Sequence, residues 1–173
     1  AARFRLGACV PLSNIRGFGA NHGVFIDLNY QGGQTFYNYM TKGPGFFSFI
    51  ELATGISNIW SGSQEVDFVE GLLDSADGDN GVCEMAIRFY GLDLGWDGWQ
   101  PLLYSFLEKI GPNHKSMRYI FMAGEWSYKG KEPPTFDELK SDFQKAKQIV
   151  ESYGYQLGSV SYTHLRAHET GRN

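Results

Sequence analysis

Apolar residues in the last third of the chain fall on a helical period. Phe136, Leu139, Phe143, Ala146, Ile149, Val150 and Tyr153 form one stripe. Thr135 and Glu138 have the spacing of a capping box, Pro133 and Pro134 stand just before them, and Gly154 offers a C-cap. Lys140, Lys145 and Lys147 lie off the stripe, as on a solvated face. Leu102, Leu103, Phe106, Leu107 and Ile110 repeat in the same way between Pro101 and Gly111, which predicts a second helix. Between the two, Met117 to Ala123 is an aromatic and apolar run, Met-Arg-Tyr-Ile-Phe-Met-Ala, followed by Gly124, the form of a largely buried strand. Residues 99–153 thus read helix, strand, helix.

The front of the chain is patterned differently. Val24, Ile26, Leu28 and Tyr30 alternate with other residues, which predicts a strand, and Gln34 to Met40 reads as a second one. Gln31-Gly32-Gly33 between them has the composition of a hairpin turn. Residues 46–60 fit a helix by spacing but carry Gly55 and β-branched residues; 64–73 look helical, and 82–90 suit either state. No internal repeat is present. The expected core includes Ile26, Leu28, Leu103, Phe106, Ile120, Phe121, Leu139, Phe143 and Ile149. The predicted class is α+β, with an N-terminal β-hairpin and a helix–strand–helix C-terminal half. The alternative is a fragment of a larger α/β protein, since a strand–loop–helix run over 117–153 suits one unit of an α/β barrel.

Residues 160–170, Val-Ser-Tyr-Thr-His-Leu-Arg-Ala-His-Glu-Thr, closely resemble the in-frame translation of a sequencing-library adapter. Residues 160–173 are therefore expected to be a non-native tail, and 1–159 to form one globular domain or domain fragment. Setting the tail aside removes Arg166, Arg172 and Glu169, so the formal charge moves from -4 to -5. It also removes His164 and His168, the one pair with metal-ligand spacing. The missing N-terminal methionine allows that the start is cut as well.

An acidic chain of this size, 42% hydrophobic, can bury a core, and lacks the basic surface that nucleic acid or an anionic membrane requires. No apolar run is long enough to span a bilayer. The expectation is a soluble protein with no nucleic-acid or membrane partner, no cofactor and no metal. Two cysteines cannot form a disulfide framework. The acidic run from Asp74 to Gly81 fails as a calcium loop: counted from Asp77, the sixth and twelfth positions are Val82 and Arg88 rather than Gly and Glu. Asp74, Asp77 and Asp79 read as a solvated turn. Phosphate-cradling, dinucleotide and Ser-elbow motifs are absent.

Two sets of residues carry candidate chemistry. Should 82–90 be a helix, Cys83 would sit in its first turn, where exposed amides stabilise a thiolate. His22 precedes the Val24 run and would serve as its base, with Asn38 or Asp27 orienting the ring. Asn21-His22-Gly23-Val24 followed by Asn80-Gly81-Val82-Cys83-Glu84 resembles the order in circularly permuted papain-like hydrolases. That resemblance implies a Cys83 nucleophile and a His22 base, although Val82 stands where the family has a polar residue. Asp77, Asp79 and Glu84 nearby would oppose thiolate formation.

The second set is aromatic and acidic. Four Trp, ten Tyr and thirteen Phe include Trp96 and Trp99 beside Asp93 and Asp97, and Trp126 and Tyr128 beside Glu125. Flat rings stack on pyranose faces and carboxylates supply acid, base or nucleophile in glycoside hydrolysis. Glu125 directly follows a predicted strand, where catalytic groups project in barrels. The alternative is that Trp96 and Trp99 pack the following helix while Asp97 caps it. The leading expectation is a binding or interaction module for a protein or carbohydrate partner. The alternatives are a fragment of a carboxylate-based glycoside hydrolase and a Cys–His hydrolase.

Overall fold

The computed structural model describes residues 6–21, 23–43, 47–55, 64–90, 94–95, 98–122 and 134–159. Along the chain these form β1 (Gly7–Pro11), a 3-10 turn (Leu12–Asn14), α1 (Ile15–Asn21), α2 (Tyr30–Lys42), β2 (Phe49–Gly55) and α3 (Gln64–Gly78). There follow β3 (Glu84–Tyr90), α4 (Trp99–Ile110), β4 (Met117–Met122), α5 (Phe136–Ser152) and β5 (Gln156–Ser159). The expected adapter-derived tail lies outside the described residues.

The five strands make one sheet in the order β1-β2-β3-β4-β5, and every neighbouring pair is parallel. Each strand therefore returns beside its predecessor through at least one helix. Right-handed crossovers are the rule for such connections, and with this strand order they place every helix on the same side of the sheet. The packing agrees: α2 lies on α3, α3 on α4 and α4 on α5, a single helical layer. The architecture is mixed α/β.

One hydrophobic core fills the space between this layer and the sheet. Ile50 and Leu52 of β2, Met85, Ile87 and Phe89 of β3, and Met117, Ile120 and Met122 of β4 meet helix residues such as Phe68, Leu72, Leu103, Phe106 and Val150. Phe89 and Phe106 contact edge to face, with ring centroids 5.0 Å apart. An extra residue in β4 between the pairs Met85–Met117 and Ala86–Tyr119 lets Met117 and Ile120 both face the core.

The C-terminal helices form where their patterns predict, although Phe136 at the start of α5 is exposed and Phe143, expected in the core, is only half-buried and outside it. Thr135 Oγ1 accepts from Glu138 N (3.3 Å) and Glu138 Oε2 accepts from Thr135 N (2.8 Å), completing the capping box. Gly154 takes φ +86° directly after α5, and Gly98, with φ +95°, is the N-cap of α4. Phe121 departs from the expected core: it faces away from the helices and is half-buried. Residues 84–90, open between two states, form the strand β3, and 46–60 contribute β2.

The predicted N-terminal hairpin is not formed. Tyr30–Lys42 is a helix, capped by Asn29, whose Oδ1 accepts from Gly32 N at 2.8 Å, and residues 24–27 have no strand partner. The glycine pair that resembles a turn serves close packing instead. A Cβ on Gly33 would lie 2.7 Å from Leu72 N, and one on Gly71 2.8 Å from the carbonyl carbon of Tyr30. Backbone thus meets backbone between α2 and α3. Phe36, Tyr37 and Met40 continue the buried face of α2, a helical spacing that the glycines interrupt in the sequence.

Candidate functional site on the helix-free face of the sheet

A parallel sheet is ordinarily covered on both faces, because its helices pack on either side. Here the described helices occupy one. In register across the other run Cys9, Glu51, Ala86, Tyr119 and Gln156, and in the next row Pro11, Ala53, Arg88, Phe121 and Gly158. None of these residues belongs to the core cluster.

Charge and aromatic surface are concentrated at the centre of this face. Arg88 Nε donates to Glu51 Oε1 across the β2–β3 boundary. The guanidinium lies 5.7 Å from the centroid of the Phe121 ring, a cation–π distance. Tyr119 and Phe121, two residues apart on β4 and so on one face, stack with centroids 5.8 Å apart and planes at 28°. A side chain at Gly158 would collide with Phe121, so glycine there seats the ring. Below, Arg118 Nε lies 3.0 Å from Glu84 Oε1. Ala53 and Ala86 are buried beside the larger side chains. The exposed Cys9 thiol has its pKa raised, chiefly by burial of the sulfur and then by Glu51, with Arg88 opposing.

The sequence-predicted sites fall elsewhere. Cys83 is fully buried in the bend before β3, so it does not open a helix, and the premise for an activated thiolate is not met. Burial, then Asp79 and Glu84, push its pKa up to about 12. It also lies at the N-terminal end of β3, whereas Asn21 and Gly23 belong to the connection leaving the C-terminal end of β1. His22 itself lies outside the described residues. Asn38 and Asp27 are both exposed, Asn38 on α2 and Asp27 just ahead of it. Trp99 is 4% exposed and sits in the core, with Nε1 donating to Asp142 Oδ2 at 3.1 Å. The same oxygen accepts from Gly95 N at 2.7 Å, which ties the β3–α4 connection to α5. Asp93, Trp96, Asp97, Glu125, Trp126 and Tyr128 lie outside the described residues.

The acidic run is a set of anchors rather than a loop, since α3 continues through Asp74 and Asp77. Asp74 accepts from Tyr30 OH (2.7 Å), and Asp79 from Tyr37 OH (2.8 Å). Asp77 accepts from Ser116 N (2.8 Å) and Ser116 Oγ (2.6 Å) and faces His114 Nδ1. Asp74, Asp77 and His114 stand close enough to hold a metal ion. However, His114 Nε2 faces Ile110 O at 2.8 Å, so both ring nitrogens already meet protein oxygens. A separate open depression of about 340 Å³ lies in the β1–α2 connection, between Arg16, Ala20 and the run Gly23 to Asp27. Phe25 on its wall is 84% exposed.

Sequence reasoning missed the Glu51–Arg88 pair. Its signal is a single acid in Phe-Ile-Glu-Leu-Ala and a single base in Met-Ala-Ile-Arg-Phe. Once both segments are strands, their two-residue period puts these charges on one face. Comparison with known proteins finds no matching family model, no similar curated protein and no similar solved structure. Among the described residues no helix is long and apolar enough to cross a membrane.

Proposed function

We propose that the helix-free face is the ligand-bearing face of a barrel-type α/β sheet, and that its ligand is a carbohydrate. The observation that carries this reading is the consecutive parallel strand order, which leaves one face without any of the described helices, and the charged pair beside stacked aromatic rings on that face. In barrels such a face lines a packed interior whose large side chains come from alternate strands, and ligands are held at its C-terminal end, the end toward which Ala53, Arg88 and Phe121 lie on their strands. The row Cys9, Glu51, Ala86, Tyr119 alternates small and large in that way.

Sugars are recognised by polar groups that fix hydroxyl positions and by apolar ring surface, and both kinds are present here. The carboxylate-based hydrolase reading adds Glu125, which follows the end of β4 by three residues, the kind of position from which barrel enzymes project catalytic groups.

Calorimetric titration of the full chain with a panel of soluble oligosaccharides tests the proposal. Binding that is lost in Tyr119→Ala, with the fold intact by circular dichroism, is the expected result. Absence of heat with every member at millimolar concentration would overturn it. If an oligosaccharide is cleaved, Glu125→Gln should abolish cleavage and keep binding.

A further inference from the structure

The charge class of the ligand follows from how Glu51 and Arg88 are used, and the inference rests on the carbohydrate reading of this face. Among the described residues the face carries two carboxylates and two guanidiniums, Glu51 paired with Arg88 and Glu84 with Arg118. Cys9, beside Glu51, adds no charge at neutral pH because its pKa is raised. The described surface is thus formally neutral.

The central pair is also only partly engaged. Among the described residues Arg88 makes one hydrogen bond, from Nε to Glu51 Oε1. Both Nη groups of Arg88 and Oε2 of Glu51 have no protein partner in that set, and the side chains are 26% and 15% exposed. Donors and an acceptor therefore stand side by side, fixed by the Nε–Oε1 bond and walled by Phe121.

A hydroxyl both donates and accepts, so two adjacent hydroxyls match such a couple: one receives from Arg88, the other gives to Glu51. A ligand carboxylate only accepts. It would gain Arg88 but come against Glu51 at short range, and like charges so placed are costly. A ligand ammonium meets the reverse conflict.

We propose that the Glu51–Arg88 pair selects an uncharged pyranose, held through adjacent ring hydroxyls, over uronic acids and amino sugars. The pair then works as a charge filter: each member cancels the attraction that the other alone would exert on an ionic sugar.

The test is a matched panel of methyl glucoside, methyl glucuronide and methyl glucosaminide, with the corresponding galacto series, titrated against the full chain by saturation-transfer NMR. The wild type should prefer the neutral member by about tenfold over either ion. Glu51→Gln should move the preference to the glucuronide, and Arg88→Gln to the glucosaminide. Should either variant fail to fold by circular dichroism, the wild-type ranking decides. A charged member binding best to the wild type, or an unchanged ranking in a folded Glu51→Gln, overturns the charge filter and leaves the carbohydrate reading standing. No binding by any member of either series, nor by the oligosaccharide panel, overturns both.

Discussion

Gly71 offers a substitution whose sign the structure reverses. In a helix interior, replacing Gly by Ala normally stabilises by about 1 kcal/mol, because the unfolded glycine is the freer chain. Gly71 lies in the middle of α3, against the backbone of Tyr30 at the start of α2. A new Cβ would stand 2.8 Å from the Tyr30 carbonyl carbon and nearer still to its oxygen, with 3.1 Å to the Cα. Neither partner can rotate away, since all three atoms are main chain. Restoring ordinary contact means parting α2 from α3 by several tenths of an ångström, and that loosens the Phe36–Phe68 contact at 5.8 Å. Overpacking of this kind costs about 1–3 kcal/mol, and the rigid partner argues for the upper end. After the helix-propensity gain, Gly71→Ala should destabilise by about 2 kcal/mol, a fall in Tm of roughly 4–8 °C for a chain of this length. Gly78, at the end of the same helix, has nothing within 4 Å of its would-be Cβ. Gly78→Ala should therefore be neutral or stabilising by up to about 1 kcal/mol. Urea unfolding of the three proteins, compared by midpoint at equal slope, measures the contrast. A Gly71→Ala protein as stable as Gly78→Ala would refute the close approach of α2 and α3.

Further outcomes concern the other anchors. Cys83 ionises near pH 12 in the folded chain against an ordinary value of 9.0. A raised acid pKa contributes stability that is complete below pH 9 and is lost as pH climbs toward 12, so the urea midpoint should fall across that window and fall less in Cys83→Ala. An equal fall in both proteins would contradict it. At pH 8 Cys83 should resist iodoacetamide until the chain is unfolded, read by mass spectrometry. Asp77→Ala strips acceptors from the buried Ser116 and from His114 and should cost about 2–3 kcal/mol by denaturant unfolding. Asp142→Ala should broaden or shift the indole N–H resonance of Trp99, which loses its acceptor. An unmoved resonance counts against that bond.

The helices of the second half were legible because their boundaries are chemical as well as periodic. Thr135 and Glu138 make the capping box that their spacing implies, and Gly154 takes the positive φ that a glycine at that place permits. α2 was illegible for the opposite reason. Gly32 and Gly33 in the sequence Tyr-Gln-Gly-Gly-Gln look like a turn, and the use of Gly33 as a flat surface for α3 depends on Phe68 and Leu72, residues far along the chain. No local window contains both halves of that contact. The same limit hid the Glu51–Arg88 pair: each charge looks like an interruption of an apolar run until parallel pairing sets the strands side by side. Cys83 shows how a local cue misleads, since a cysteine after an acidic, glycine-rich stretch suits a helix start as well as the buried bend before a strand. Trp99 lies under α5 because Asp142, more than forty residues later, accepts its indole proton.

The central claim is that the helix-free face, rather than the Cys83 bend or the acidic end of α3, receives the ligand. Backbone amide shifts of labelled full-length chain, followed while a neutral oligosaccharide is added, test it most directly. The account predicts saturable shifts centred on Glu51, Ala53, Ala86, Arg88, Tyr119 and Phe121, with little change at Asp77, Cys83 and His114. Shifts confined to the latter group, or none on the sheet at saturation, would contradict it.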